Sequence, residues 1–189
     1  MNRRDALTRV AWLMGGAVIG GNLFLTGCKS SNYKKGMLLT ADQIELLDEV
    51  GETIIPTTTT PGAKAAKIGE FMDMMVNDCY ETNEQAIFKA GLETLEAACK
   101  AKFNNGFLAC TPAQRTELLN TIDKEAKAYA QQNKDGKAEP HYFKMIKELT
   151  LLGYFTSEVG ATKQLRYVEV PGKLDGAYPY KKGDKAFAL

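Results

Sequence analysis

The chain has 189 residues, 25% of them charged and 44% apolar. That is the composition of an ordinary globular protein, and it excludes collagen, coiled-coil rods and long disordered tails. Twenty-four Lys and Arg against 23 Asp and Glu leave a formal charge of +1, without the basic excess of a general nucleic-acid binder.

In chain order, the first feature is an export segment. Residues 2–9, NRRDALTR, are basic, and residues 10–27 carry no charge. Without residues 1–27 the positive excess is gone, so it belongs to this segment. A basic stretch followed by an apolar one is the plan of an export signal. Its length touches the lower limit for a membrane span. Gly15, Gly16, Gly20, Gly21 and Asn22 weaken that alternative. Arg3-Arg4, followed after Asp5 and Ala6 by Leu7, resembles the twin-arginine signal that exports folded cargo. Asn2, Ala6 and Thr8 depart from its full pattern. Leu25-Thr26-Gly27-Cys28 resembles a bacterial lipobox, in which Cys28 takes a diacylglycerol thioether and its freed amine is acylated. Two or three acyl chains suffice for stable anchoring. The alternative is an ordinary cleavage site with an incidental cysteine. The expected organisation is a signal over 1–27, the lipidated Cys28 with a polar tether over 28–38, a helical domain over 39–167 and an extended arm over 168–189.

The domain reads as all-α with about five helices. Thr40 and Gln43 form a capping box, Leu39 can staple onto Ile44, and Pro56 ends the first helix by Ile55. PTTTTPG, residues 56–62, is a loop. A second helix is expected over 64–80, with Ile68, Phe71, Met72, Met75, Val76 and Cys79 on its buried stripe. Thr82 with Gln85 suggests the cap of a third, running to Phe103 and stopped by Asn104-Asn105-Gly106. Thr111-Pro112 with Gln114 opens a fourth to Gln132, carrying Leu118, Leu119, Ile122 and Tyr129. A fifth begins near Pro140, with Phe143, Ile146, Leu149, Leu152 and Phe155 on one face. Gly153 and Gly160 suggest a break, with a short helix between Ser157 and Leu165. Beyond Tyr167 no period survives, and no two strands pair convincingly.

Catalytic chemistry is sparse. The chain has no phosphate loop, dinucleotide fingerprint or EF-hand, and no Cys-x-x-Cys-His for covalent haem c. The one histidine, His141, excludes a multi-histidine metal site. It is a candidate base or haem ligand only at a helix start; the plainer reading has it packing on a neighbour or a partner. Acidic pairs such as Asp42–Glu45 and Glu45–Glu49 read as solvated helix surface. Met72, Met74 and Met75 read as core rather than as a metal box. After Cys28, three cysteines remain: Cys79, Cys99 and Cys110. Cys99–Cys110 is the most reachable internal pair for a disulfide; three buried thiols, or a bond to a partner subunit, are the alternatives.

Two segments are distinctive: ETIIPTTTTPGAKAAKIGEFMD (52–73) and PHYFKMIKELTLLGYFTSEVGATKQLRYVEVPG (140–172). With Ile55-Pro56, Thr60-Pro61-Gly62-Ala63, the run from Leu149 to Glu158, and Pro171-Gly172, the chain resembles the small, third-subunit family of gluconate 2-dehydrogenase over most of residues 38–175. The resemblance implies a non-catalytic subunit without a metal or cofactor of its own. It implies a flavoprotein partner of the glucose-methanol-choline type carrying FAD, and a cytochrome c subunit carrying haem c. The signal would bring the folded flavoprotein across the membrane, and Cys28 would hold the complex there. The expected partner interface is His141, Tyr154, Phe155, Thr156 and Ser157, with Tyr167, Pro171 and Tyr178 on the arm, because aromatics on a poorly periodic segment make good interface anchors. The same aromatics fit equally an arm folded back onto its own helices. A stand-alone periplasmic lipoprotein with a binding or structural role, and an independent enzyme using His141, are the other readings. The sugar oxidised is not written in the sequence.

Overall fold

Thr40 starts the folded body by local chemistry alone. Its hydroxyl accepts from Gln43 N at 3.3 Å while Gln43 Oε1 accepts from Thr40 N at 3.0 Å, the reciprocal box that satisfies two orphan donors of a helix start. The computed structural model describes residues 38–134, 138–170, 172 and 175–188. These residues form five α-helices: α1 (Ala41–Ile54), α2 (Ile68–Cys79), α3 (Thr82–Phe103), α4 (Pro112–Gln132) and α5 (Tyr142–Thr156). The all-α expectation holds. Arg3, Arg4, Leu7, Cys28 and Pro171 lie outside the described residues.

The helix ends follow the residues beside them. Ile55 caps α1 just before Pro56, and Asn104 closes α3 in the left-handed conformation at φ 55°. Thr111, Pro112 and Gln114 open α4 with a capping box and proline in the first turn. Two starts differ from expectation. The second helix is preceded by a 3-10 turn, Ala63–Ala66, and a left-handed Lys67, and begins only at Ile68. The third is capped by Glu81, whose N–H donates to Glu84 Oε2 at 3.1 Å. Gln85 instead donates to the carbonyls of Val76, Asn77 and Tyr80, closing the last turn of α2.

The core joins all five helices through Leu47, Val50, Ile68, Met72, Val76, Phe88, Leu92, Leu95, Ile122, Ile146 and Leu149. α5 is the central element and packs on each of the other four. It therefore buries two sides, with Phe143, Met145, Ile146, Leu149, Thr150, Gly153 and Tyr154 inside. Leu152 and Phe155, expected on the buried face, are exposed, and so is Cys79 on α2. Gly153 is no break: it sits inside α5, where a Cβ would come 2.5 Å from the Phe71 ring. The chain turns at Ser157, and a π-helical turn, Gly160–Gln164, supplies the short helix expected there. The arm is not wholly extended. Its end returns, so that β1 (Arg166–Tyr167) pairs in parallel with β2 (Phe187–Ala188), Arg166 opposite Phe187. That corrects the expectation of no strand pairing.

Glu49 is also not simple solvated surface. Its carboxylate pairs with Lys64 and with Arg115, while the Arg115 guanidinium donates to the carbonyls of Phe107 at 3.0 Å and Leu108 at 2.7 Å. One side chain thus ties α1, α4 and the link between α3 and α4. Lys64 first, and Arg115 after it, hold the Glu49 carboxyl below its ordinary value of 4.5. A carboxyl lowered in the fold adds stability above its unfolded pKa and loses it as the pH falls through the folded value. Glu49→Gln is expected to cost about 1.5 kcal/mol at pH 7, mostly through Arg115, because Lys64 is half exposed and contributes little. Melting curves of the two proteins should converge below pH 4.5. A gap that persists in acid would mean that packing, not charge, accounts for the loss.

Candidate functional site

The loop after α1 is built around Glu52. The carboxylate of Glu52 accepts from Thr57 N at 2.8 Å and from Lys64 N at 3.0 Å. Thr57 Oγ1 accepts from Gly62 N at 3.0 Å, Thr58 N donates to Thr60 O at 3.0 Å, and Ala63 N donates to Ile55 O at 3.0 Å. Gly62 lets these groups close: a Cβ there would lie 2.3 Å from a Glu52 oxygen and 2.6 Å from Thr57 N. Pro56 to Thr59 are exposed on this frame. The loop is therefore a surface feature in which the N–H groups of Thr57, Thr58 and Gly62 are bonded within the loop or to Glu52, which fixes its shape.

The far end of α5 holds the loop from behind. Tyr154 is 1% exposed, and its hydroxyl donates to Pro61 O at 2.6 Å. Thr60 Oγ1 donates to Gln164 Oε1 of the π-helical turn at 2.7 Å. Ser157 Oγ donates to Tyr154 O at 2.7 Å and accepts from Gly160 N at 3.0 Å, bending the chain. The two segments that carry the family resemblance, far apart in sequence, are thus bonded to each other. On the outside of the same helix end stand Leu151, Leu152 and Phe155, between 39% and 47% exposed. Phe155 lies four residues after Leu151 and three after Leu152, so it neighbours both on the helix surface, and the three side chains make one apolar strip. Thr156 is exposed and returns its hydroxyl to Leu152 O.

The arm is gathered around Arg166. Its guanidinium donates to the Tyr178 hydroxyl at 2.7 Å and lies over the rings of Phe187 and Tyr178, 4.8 and 5.4 Å from their centroids. Tyr167 and Tyr178 keep about half their surface exposed, between an anchored and a free role. Leu165, Arg166, Tyr178 and Lys181 border an open concavity of about 730 Å³.

The expected interface residues do not form one group. Phe155, Thr156, Tyr167 and Tyr178 are exposed. Tyr154 is a core residue, and Ser157 is a half-buried bend former. His141 lies at the opposite end of α5, roughly 20 Å away along the helix. There it is the N-cap: Nδ1 accepts from Phe143 N at 3.2 Å, and the ring stacks on Tyr142 at 4.7 Å. Burial lowers its pKa against an opposing pull from Glu125. A neutral acceptor is what a cap at a positive helix end requires. Glu52, Leu151, Gln164 and Arg166 belong to no site motif in the sequence; Gln164 meets Thr60 across 104 positions and Arg166 meets Tyr178 across 12, and no local pattern announces either contact. Cys99 Sγ and Cys110 Sγ lie 3.2 Å apart, both buried. Among the described residues no cluster of three or more His, Cys, Asp or Glu is arranged to hold a metal ion.

Fold and surface together define a small helical protein whose distinctive face is a pre-shaped loop clasped to a helix end. The chain belongs to the gluconate 2-dehydrogenase subunit 3 family, whose sequence model matches residues 41–172. That membership is consistent with an accessory subunit of a dehydrogenase complex, associating with the other subunits of such a complex. Neither a curated protein nor a solved structure matches the chain.

Proposed function

We propose that this chain is the non-catalytic small subunit of a membrane-associated sugar or sugar-acid dehydrogenase. It binds a flavoprotein subunit of the glucose-methanol-choline type through the exposed end of α5, the loop Pro56–Gly62 and the arm. The observation that carries this reading is the apolar strip of Leu151, Leu152 and Phe155 on the helix end that clasps a rigid loop, in a chain of this family. A surface already fixed by Glu52 and Tyr154 loses little conformational entropy on binding, and large apolar side chains at its centre supply the anchors. In this reading FAD and haem c reside in the partner subunits, haem c in a cytochrome that takes the electrons. The Arg3-Arg4 segment exports the chain together with its folded partner, and lipidated Cys28 holds both at the periplasmic side of a membrane.

One fractionation experiment tests both halves. Membranes from cells producing the whole complex should carry flavin absorbance with the wild-type chain. With Leu152→Glu and Phe155→Glu together, the chain should stay in the membrane while the flavin fraction drops, a weakening of at least about thirtyfold for ~2 kcal/mol lost. Both residues are exposed, so the melting temperature should hold. With Cys28→Ser the chain and the flavin should leave the membrane together. Undiminished flavin with the double glutamate variant would refute this interface, and a Cys28→Ser chain still in the membrane would refute the anchor.

A further inference from the structure

The link between α3 and α4 positions two thiols against each other. Cys99 lies on the buried side of α3, fully enclosed, and Cys110 follows the 3-10 turn Phe107–Ala109 with 5% of its surface exposed. The 3.2 Å between their sulfurs is set by the surroundings rather than by the thiols. Asn104 reverses the chain in the left-handed conformation. Phe107 is buried completely, and its N–H donates to Glu96 Oε1 at 3.2 Å. Arg115 holds the carbonyls of Phe107 and Leu108 from the far side. A link fixed at both ends and in the middle leaves the sulfurs only a short approach from bonding, with the Cα atoms held in place.

We propose that Cys99 and Cys110 form an intramolecular disulfide in the mature protein, with a small-molecule or protein disulfide as oxidant. With glutathione disulfide, the Cys110 thiolate attacks one sulfur of the oxidant and expels one glutathione thiolate. Cys99 then gives its proton to water and attacks Cys110 Sγ, expelling the second. The two cysteines lose two electrons and two protons, and glutathione disulfide is reduced to two glutathione thiols. Entry is from the Cys110 side, where Leu108 and Ala109 are exposed. Burial pushes the Cys99 thiol up to about 12, so the second step is the slow one. The bond closes a loop of eleven positions and joins the end of α3 to the start of α4. It thereby removes chain entropy from the unfolded state. The proposal stands on this geometry and is independent of which partner the protein binds.

The test uses the full chain with Cys28→Ser and Cys79→Ser, which leaves Cys99 and Cys110 as the only thiols of the four cysteines. After equilibration in a glutathione redox buffer, the denatured protein should show no free thiol. Peptide mapping should find Cys99 joined to Cys110 within one chain. The oxidised form should melt roughly 5–10 °C above the reduced form. In Cys99→Ala and in Cys110→Ala, each made in that background, the dependence of melting on redox buffer should vanish. Two free thiols at equilibrium, glutathione left on Cys110, a bond between chains, or an oxidised form that melts lower would each overturn the proposal.

Discussion

Tyr154→Ala is expected to cost about 4 kcal/mol, lowering the melting temperature by roughly 8–16 °C. The ring is 1% exposed and meets Phe155 edge-on at 5.3 Å, so truncation leaves a cavity where the end of α5 packs behind the loop. It also leaves Pro61 O without its donor, an added loss of the kind worth ~1 kcal/mol. Tyr154→Phe isolates that second term, with an expected cost of about 1 kcal/mol. Partner retention by the folded fraction of the phenylalanine variant should be close to wild type, since the loop keeps its Glu52 frame. The combination separates two roles that sequence alone leaves together. A variant that melts normally but releases the flavoprotein would place Tyr154 at the interface. A variant that melts low but retains its partner would place it in the core, as the structure does.

The second large effect is expected at Gly69, where α1 and α2 come into contact. A Cβ at Gly69 would stand 2.2 Å from the carbonyl oxygen of Ile44. That atom is backbone inside a helix, so it cannot swing away as a side chain would. At the same point Gly69 N donates to Asp48 Oδ1 at 2.8 Å, which closes the first turn of α2 with a carboxylate. An added methyl would force the two helices apart and stretch that bond. Gly69→Ala is therefore expected to cost about 3 kcal/mol, or roughly 6–12 °C. Gly51, on α1 and also between the helices, is the control. Its nearest neighbours would lie at 3.4 and 3.5 Å, ordinary contact, and alanine is the better helix former. Gly51→Ala should be neutral or slightly stabilising. Equal losses at the two sites in thermal melts would show that helix spacing here is set by something other than backbone contact.

Both effects bear on function through the same helix. α5 is held by the other four helices, and its end carries the strip proposed to meet the flavoprotein. Weakening α1 against α2, or removing Tyr154, loosens what stands behind the loop while leaving its outward-facing residues in place. Stability and partner retention must therefore be measured on the same samples.

Much of the fold was legible because its determinants are local. The capping boxes at Thr40–Gln43 and Thr111–Gln114, the stop at Asn104 and the proline after Ile55 each depend on residues within a few positions. The family was legible from short runs whose order and composition are distinctive. Nearness of Cys99 and Cys110 was legible because few geometries join a helix end to a start eleven positions on. Other features were decided only in three dimensions. Residues 81–85 offer two overlapping caps, and Gln85 was drawn away from one of them by the open carbonyls of α2. Helical period marks one buried side, but α5 is surrounded, so which aromatic faced inward depended on its neighbours. Tyr154 can be buried whole because Pro61 O accepts from its hydroxyl, while Phe155, turned about 100° further round the helix, falls on the side that no other element covers fully. The two-residue pairing of Arg166–Tyr167 with Phe187–Ala188 has no period to read. It forms because the Arg166 guanidinium collects the rings of Tyr178 and Phe187, a contact between residues that only the folded chain brings together.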